Sequence, residues 1–301
     1  MKSLKHIFEK HLPGMLLLEA EPMARHTTFR IGGPADLLAQ PSSEEELLLA
    51  MKLAEEQDVP VTVVGNGSNL LVRDGGIRGL VLLLGERFSG VSVEGEEIFA
   101  QAGATLAKLS AVAQRAGLAG LEFASGIPGT LGGGVAMNAG AYGGQLSDAL
   151  VSASVLEDGA VQDFSREDMQ MGYRTTRILK RGGIVLSARF RLTPDAPEAI
   201  GMRMRELNAR RREKQPLELP SAGSTFKRPE GYFAGALIEG AGLKGVQLGG
   251  AMVSVKHAGF VVNVGGATAR DVLELIVHIR KTVRAKYGVE LETEIRVLGE
   301  D

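Results

Sequence analysis

Cysteine is absent from the 301-residue chain. That excludes disulfides, thiolate nucleophiles and thiolate-bound zinc or iron–sulfur centres, and it agrees with a cytoplasmic setting. A dominant charge is also missing. The 34 Lys and Arg side chains face 36 Asp and Glu, a formal net charge of −2, so no global field draws the chain to nucleic acid or an anionic membrane. The expected partners are small molecules, with no nucleic acid and no membrane, and the chain is expected to act as a monomer. No apolar run approaches a membrane span, and Met15 to Leu18 is too short for a signal-peptide core. The histidines, at 6, 11, 26, 257 and 278, form no HExxH pattern or close pair, so no metal site is expected.

What is present is ordinary globular material, 44% hydrophobic and 23% charged, long enough for two domains. Ser43 followed by Glu44, Glu45 and Glu46 and then Leu47, Leu48, Met51 and Ala54 predicts a capped helix. Ala104–Ala116 carries Leu106, Leu109, Val112 and Ala113, with Gly117 as the stop. Thr268–Asp271 is a capping-box pattern opening a helix through Val272, Leu275, Ile276, Ile279 and Val283 to Gly288. Strands are expected in VPVTVVG, GLVLLLG, VSVEG, EIFAQAG, GIVLSARFRL and AGFVVNVGG. Their irregular spacing and the hairpin-like VEGEE predict an α+β fold. A boundary is expected at 191–201, where two prolines separate a strand from a new helix.

Two glycine clusters stand out. In VTVVGNGSNLLVRDGG (61–76) a strand runs into Gly65, Asn66, Gly67, Ser68 and Asn69. Glycine permits positive φ and close approach of backbone N–H groups to an anion, a phosphate nest. It is no Rossmann fingerprint, because Leu70 replaces the third glycine and no long helix follows. A plain tight turn is the competing reading, and this cluster alone leaves the two level. In ASGIPGTLGGGVAMNAGAYGG (124–144) glycine occupies 126, 129, 132, 133, 134, 140, 143 and 144, and no Lys, Arg, Asp or Glu occurs. Packing of a bare loop on the protein's own core is one explanation. A loop this long usually has a function, and its lack of charge suits a flat ring better than a phosphate. A phosphate loop and a ring loop together imply a dinucleotide with a large aromatic headgroup, hence FAD.

FRIGGPAD (29–36), VVGNGSNLLVRDGGIRGLVL (63–82), GIPGTLGGGVAMNAGAYGG (126–144), GYRTT (172–176), SAGSTFKRP (221–229) and LETEIRVLG (291–299) occur in that order. In them the chain resembles the UDP-N-acetylenolpyruvoylglucosamine reductases, flavoenzymes of the second committed step of peptidoglycan precursor synthesis. The resemblance implies an FAD-binding module of the p-cresol methylhydroxylase type at 25–195, in subdomains of about 25–82 and 83–195. A segment at 1–24 precedes it, and an α+β substrate domain follows at 200–301. It implies non-covalent FAD, NADPH as hydride donor and a UDP-sugar substrate. FAD contacts are then expected from Gly65, Asn66, Gly67, Ser68 and Asn69, and from Ser125, Gly126, Ile127, Pro128, Gly129, Thr130, Asn138, Gly140, Ala141 and Tyr142.

The implied chemistry sends a hydride from NADPH through flavin N5 to the enolpyruvyl C3, with a proton added at C2. The resemblance places catalytic roles on Arg174, Ser224 and Glu294: Arg174 for the carboxylate and developing charge, Ser224 as proton donor polarised by Lys227 or a water chain. Alternation in VELETEIRV permits Glu294 on the face opposite the core but does not single it out. Tyr173, Lys214, Lys227 and Arg228 are expected to bind substrate. Arg228 stands where other members have Asn. Some members carry an insertion after GYR bearing a tyrosine that closes over the substrate. Here GYRTTRILKRGGIVLSARF passes directly into a strand, the shorter subtype. The basic helix MRMRELNARRREKQP reads as a solvated face for Arg203 and Arg205, stopped before Pro216. The alternatives are a non-catalytic nucleotide-binding module and an oxygen-using FAD oxidase of the same fold.

Overall fold

The computed structural model describes residues 4–301. Contacts divide the chain into two compact units. One takes residues up to Leu17, Ala39–Asn66 and Leu82–Arg211; the other takes Leu18–Leu38, Gly67–Val81 and Arg212–Asp301. Residues 18–24, read from the sequence as the end of the N-terminal segment, and 25–38 and 67–81, read as parts of the FAD module, group with the C-terminal segment.

The first unit contains α1 (Leu4–His11), α2 (Glu44–Glu56), α3 (Leu106–Arg115), α4 (Leu131–Ala136), α5 (Arg177–Arg181) and most of α6 (Pro197–Lys214). Its centre is a five-stranded antiparallel sheet, ordered 160–165, 150–157, 184–191, 97–101, 91–94. The hairpin expected at VEGEE is the 91–94/97–101 pair. Leu106, Leu109 and Ala113 of α3 and Leu131 and Val135 of α4 are buried with Ile98, Ala153, Val155, Ala188 and Phe190 of the sheet. Leu47 of α2 joins a second cluster with Phe88, Ala102, Leu156 and Leu186. The expected cap at Ser43 forms, its hydroxyl accepting from Glu46 N–H at 3.2 Å; α3 starts at Thr105, not singled out in the sequence, whose hydroxyl accepts from Lys108 N–H at 3.1 Å. Gly117, at φ +67°, ends that helix.

In the second unit the antiparallel strands 247–248, 251–253 and 261–263 accompany α7 (Ala234–Gly240) and α8 (Ala269–Tyr287). The capping box holds, with Thr268 Oγ accepting from Asp271 N–H and the Asp271 carboxylate accepting from Thr268 N–H. The α8 stripe of Val272, Leu275, Ile276, Ile279 and Val283 is buried against Val253, Val261, Leu237 and Ile238. Each such side chain contributes about 1.5–3 kcal/mol.

Two sequence expectations need correction. Residues 124–144 are not one loop: a 3-10 turn covers Glu122–Gly126, and LGGGVA forms the short helix α4. Three glycines oppose a helix by propensity, but Leu131 and Val135, one turn apart and buried, hold it down. VELETEIRV is also not a regular alternating strand. Its ladder is confined to 296–298, parallel to 70–72, with an isolated bridge between Phe226 and Thr293. Leu291 and Ile295 are buried, whereas Val297 is exposed.

Candidate functional site

In the first unit Gly65 and Asn66 meet the second glycine cluster. The Asn66 amide donates to the Pro128 carbonyl at 2.7 Å, and a Cβ on Gly65 would overlap the Thr130 hydroxyl. Thr130 is buried and caps α4, and the Gly129 carbonyl accepts from Leu106 N–H at 3.0 Å. The loop 125–130 is therefore fixed by α3 on one flank. On another, Asn208 of α6 donates to the Ser125 hydroxyl at 3.1 Å, which donates to the Glu122 carbonyl at 2.8 Å. Ile127 is half-buried.

The far end of the glycine stretch carries the GYRTT turn. Gly172 and Thr175 exchange backbone hydrogen bonds, which puts Tyr173 and Arg174 at the corner. Three bonds dock that turn: Asn138 Nδ2 to the Gly172 carbonyl at 3.2 Å, Arg174 Nη2 to the Gly140 carbonyl at 3.4 Å, and buried Thr176 Oγ1 to the Ala136 carbonyl at 2.7 Å. Asn138 is almost fully buried, and its Oδ1 accepts from Ser147 N–H at 3.0 Å, so its side chain serves the protein. Asn138, Tyr142 and Arg174 all have positive φ, at 42°, 54° and 52°. Non-glycine residues in that region carry about 1–3 kcal/mol of strain each and cluster at functional sites. Gly140 and Ala141 pair with Gln145 and Gly144, leaving Tyr142 at an exposed tip. Tyr173 is exposed, and the half-buried Arg174 guanidinium lies 5.3 Å from its ring centroid.

Much of the glycine demand is internal. A Cβ at Gly132 would lie 3.0 Å from Ala102 Cβ, one at Gly134 3.1 Å from Leu146, and one at Gly144 2.5 Å from the Phe123 ring. Gly133 differs: a Cβ there meets only Thr130 Oγ1 at 3.9 Å; at Gly143, which the hairpin tip holds at φ +89°, a Cβ meets nothing within 4 Å. At these two positions the bare, uncharged backbone faces open space, which fits a flat uncharged ring.

In the second unit Gly67 has φ +59°, and its missing Cβ would overlap the His26 carbonyl and approach Thr27 Cα to 2.7 Å. The tightness read from the sequence as room for a pyrophosphate is thus set at Gly67 by the protein's own backbone. Ser68 is half-buried. Asn69 Nδ2 donates to the Glu294 carbonyl at 3.1 Å, and Arg296 N–H to the Asn69 carbonyl at 2.9 Å. Glu294 N–H donates to the Thr225 carbonyl at 2.8 Å, so Glu294 and Ser224 lie on paired backbones. Glu294 is half-buried while Glu290 and Glu292 are exposed, a distinction that alternation did not contain. Ser224 is exposed between buried Ala222 and Thr225, and Thr225 is clamped by its N–H to the Gly259 carbonyl at 2.9 Å. Lys227 Nζ pairs with Glu292 Oε2 at 3.1 Å. Arg228 stacks 4.0 Å above Phe233, and its Nε donates to the Tyr232 carbonyl at 3.3 Å. Lys214 is exposed at the end of α6.

The clamp on Thr225 has a titratable support. His257 Nδ1 accepts from Gly259 N–H at 3.1 Å, and burial pushes its pKa below the usual histidine value, opposed by a backbone hydrogen bond and by Glu239 and aided by Lys244. A protonated Nδ1 cannot accept. The neutral ring's contribution is therefore present above the unfolded pKa near 6.5 and is lost as pH falls below it through the folded value. Melting temperature should fall more steeply from pH 7.5 to pH 5.5 in the unaltered chain than in His257→Asn; parallel profiles would contradict this.

The sequence reading did not single out Thr176, whose hydroxyl anchors the GYRTT turn, or Arg211, which lies against Gly126. A Cβ on Gly126 would sit 3.1 Å from Arg211 Cδ. Nothing in the run ARRRE distinguishes Arg211 from Arg210 or Arg212. Arg203, read as solvated, is exposed but ion-paired with Glu122 at 2.7 Å and Asp195 at 2.6 Å. Among the described residues no helix is long and apolar enough to cross a membrane.

Comparison with known proteins agrees with this geometry. Residues 35–165 match the family described as FAD binding domain, and residues 215–298 match UDP-N-acetylenolpyruvoylglucosamine reductase, C-terminal domain. The chain is 53% identical to the UDP-N-acetylenolpyruvoylglucosamine reductase of Agathobacter rectalis, over 97% of this chain and 96% of that protein. It is 51% identical to the one from Clostridioides difficile, over 93% of each. The crystal structure of the Thermus caldophilus reductase superposes with a TM-score of 0.81 at 38% identity, covering 95% of this chain and 99% of that one. The chain belongs to the UDP-N-acetylenolpyruvoylglucosamine reductase family.

Proposed function

We propose that this chain reduces UDP-N-acetylglucosamine enolpyruvate to UDP-N-acetylmuramate, with NADPH as hydride donor and non-covalent FAD as the relay. Family membership supports the reaction. The observation that supports the site is the docking of the GYRTT turn on the glycine stretch, which sets Arg174 at positive φ beside backbone that faces open space at Gly133 and Gly143. The cofactor, when bound, supplies hydride acceptance and donation at one ring atom. The chain's own residues do the rest. The loops 65–69 and 125–130 and the segment 138–142 hold the cofactor through backbone and small side chains. Arg174 grips the substrate carboxylate with a planar fork and stabilises the charge that grows on it as the hydride reaches C3. Ser224 delivers the proton to C2. Glu294, held on the backbone paired with the Ser224 loop, supplies the acidic member of the set.

Purified protein should be yellow, release FAD on denaturation and be bleached by NADPH without oxygen. A colourless protein that takes up no FAD, or one that turns over its substrate with oxygen and no NADPH, would contradict the proposal. Arg228 is placed on the substrate as a ground-state contact. Its alanine variant should raise the Michaelis constant for the UDP-sugar about tenfold, the effect of losing one charge-assisted hydrogen bond, with a smaller change in turnover. An unchanged constant would remove Arg228 from the site.

A further inference from the structure

The stretch 124–144 carries no charge of its own, and the cation brought against its Gly126 end from α6 is Arg211. Arg211 differs from the other arginines of its helix in burial: Arg203, Arg205, Arg210 and Arg212 are exposed. Arg203 is ion-paired with Glu122 and Asp195, and Arg210 with Glu206 at 2.7 Å; both are exposed. The half-buried Arg211 has no carboxylate partner among the described residues, and its Nε is buried with no hydrogen-bond partner. Burial pushes its pKa down, opposed by the Tyr142 hydroxyl, yet an arginine remains charged throughout the working range. Keeping an unpaired cation out of water costs free energy that the fold has not removed by placing a carboxylate there. A facing group that gains negative charge would offset that cost and could accept from the buried Nε.

We propose that Arg211 is the fixed positive charge that favours the reduced, anionic form of the flavin ring in this site. This rests on the assignment of Gly126 and Tyr142 to the FAD site. A hydride leaving NADPH brings two electrons and one proton. It yields NADP⁺, forms the N5–H bond and leaves the reduced ring with one negative charge. The same N5–H bond then breaks as the hydride forms the C3–H bond of the enolpyruvyl group. The site thus alternates between a neutral and an anionic ring, and a cation held by packing stabilises only the second, shifting the equilibrium toward reduction.

The test is the two-electron potential of the FAD-loaded full chain, measured anaerobically against reference dyes, for the unaltered protein, Arg211→Gln and Arg211→Lys. The Gln variant should favour the oxidised ring at least about tenfold, a potential about 30 mV more negative, while Lys shifts it less than about threefold. A Gln variant that holds FAD weakly is read through the ratio of its affinities for oxidised and reduced FAD, which contains the same factor. A Gln potential equal to that of the unaltered protein, or equal shifts in Gln and Lys, overturns the proposal, because space rather than charge would then be the residue's contribution. Absence of FAD from the unaltered chain would instead fail the functional reading itself.

Discussion

Ser224→Ala should separate the two halves of the reaction. Ser224 is exposed, and its hydroxyl enters no hydrogen bond with the described residues, while its neighbours Ala222 and Thr225 are buried and fix the loop. The variant should therefore fold, bind FAD and be bleached by NADPH at a near-normal rate, because that half needs no proton from Ser224. Reoxidation by the enolpyruvyl substrate needs the proton at C2 and should slow by at least about 10²-fold, the low end for loss of a general acid. Slowing in both halves would mean a structural loop residue; no slowing in either would mean that another group supplies the proton. Ser221 is the control. Its carbonyl, which a side-chain change preserves, accepts from Thr28 Oγ1 at 2.7 Å, so Ser221→Ala should leave both halves intact.

The second large effect is expected at Gly67. Valine there would adopt a left-handed conformation at a cost of about 1–3 kcal/mol, and its Cβ would overlap the backbone of His26, which cannot rotate away as a side chain can. The variant should lose FAD and also melt at a clearly lower temperature. Full FAD content at an unchanged melting temperature would contradict the account. Gly133→Ala separates ligand from fold. It lies in α4, where alanine is favoured over glycine by about 0.5–1 kcal/mol, and its Cβ has room. The apoprotein should be at least as stable as the parent, yet bind FAD more weakly, because the added methyl enters the face assigned to the ring.

Sequence patterns that act locally were legible. The caps at Ser43 and Thr268, the stop at Gly117 and the hairpin at 91–101 depend on residues within a few positions of one another, and all form. What tertiary packing decides was not legible. The helix α4 is held by two buried side chains against its own glycines. A Cβ is excluded at 67 by the His26 backbone and at 144 by the Phe123 ring, and is crowded at 132 by Ala102 and at 134 by Leu146, all distant in sequence, so a glycine-rich stretch by itself overstates how much backbone faces a ligand. Glu294 differs from Glu290 and Glu292 by burial rather than by its place in an alternating pattern. Among the α6 arginines identical neighbours in sequence have opposite fates: Arg210 pairs with Glu206 one turn away, and Arg211 turns toward Gly126. The motifs that name the family therefore revealed more about chemistry than periodicity did, and the structure sorts which of their residues are spent on the protein itself. Asn138, for example, uses its side chain on Gly172 and Ser147.

The central claim is that this chain passes a hydride from NADPH through FAD to an enolpyruvyl UDP-sugar. The most direct measurement is anaerobic rapid mixing of the FAD-loaded protein first with one equivalent of NADPH and then with UDP-N-acetylglucosamine enolpyruvate, following flavin absorbance. The account predicts bleaching in the first step and full recovery of the oxidised spectrum in the second, with one UDP-N-acetylmuramate formed per flavin. A flavin that NADPH does not bleach, or that stays bleached when the UDP-sugar is added, would contradict it.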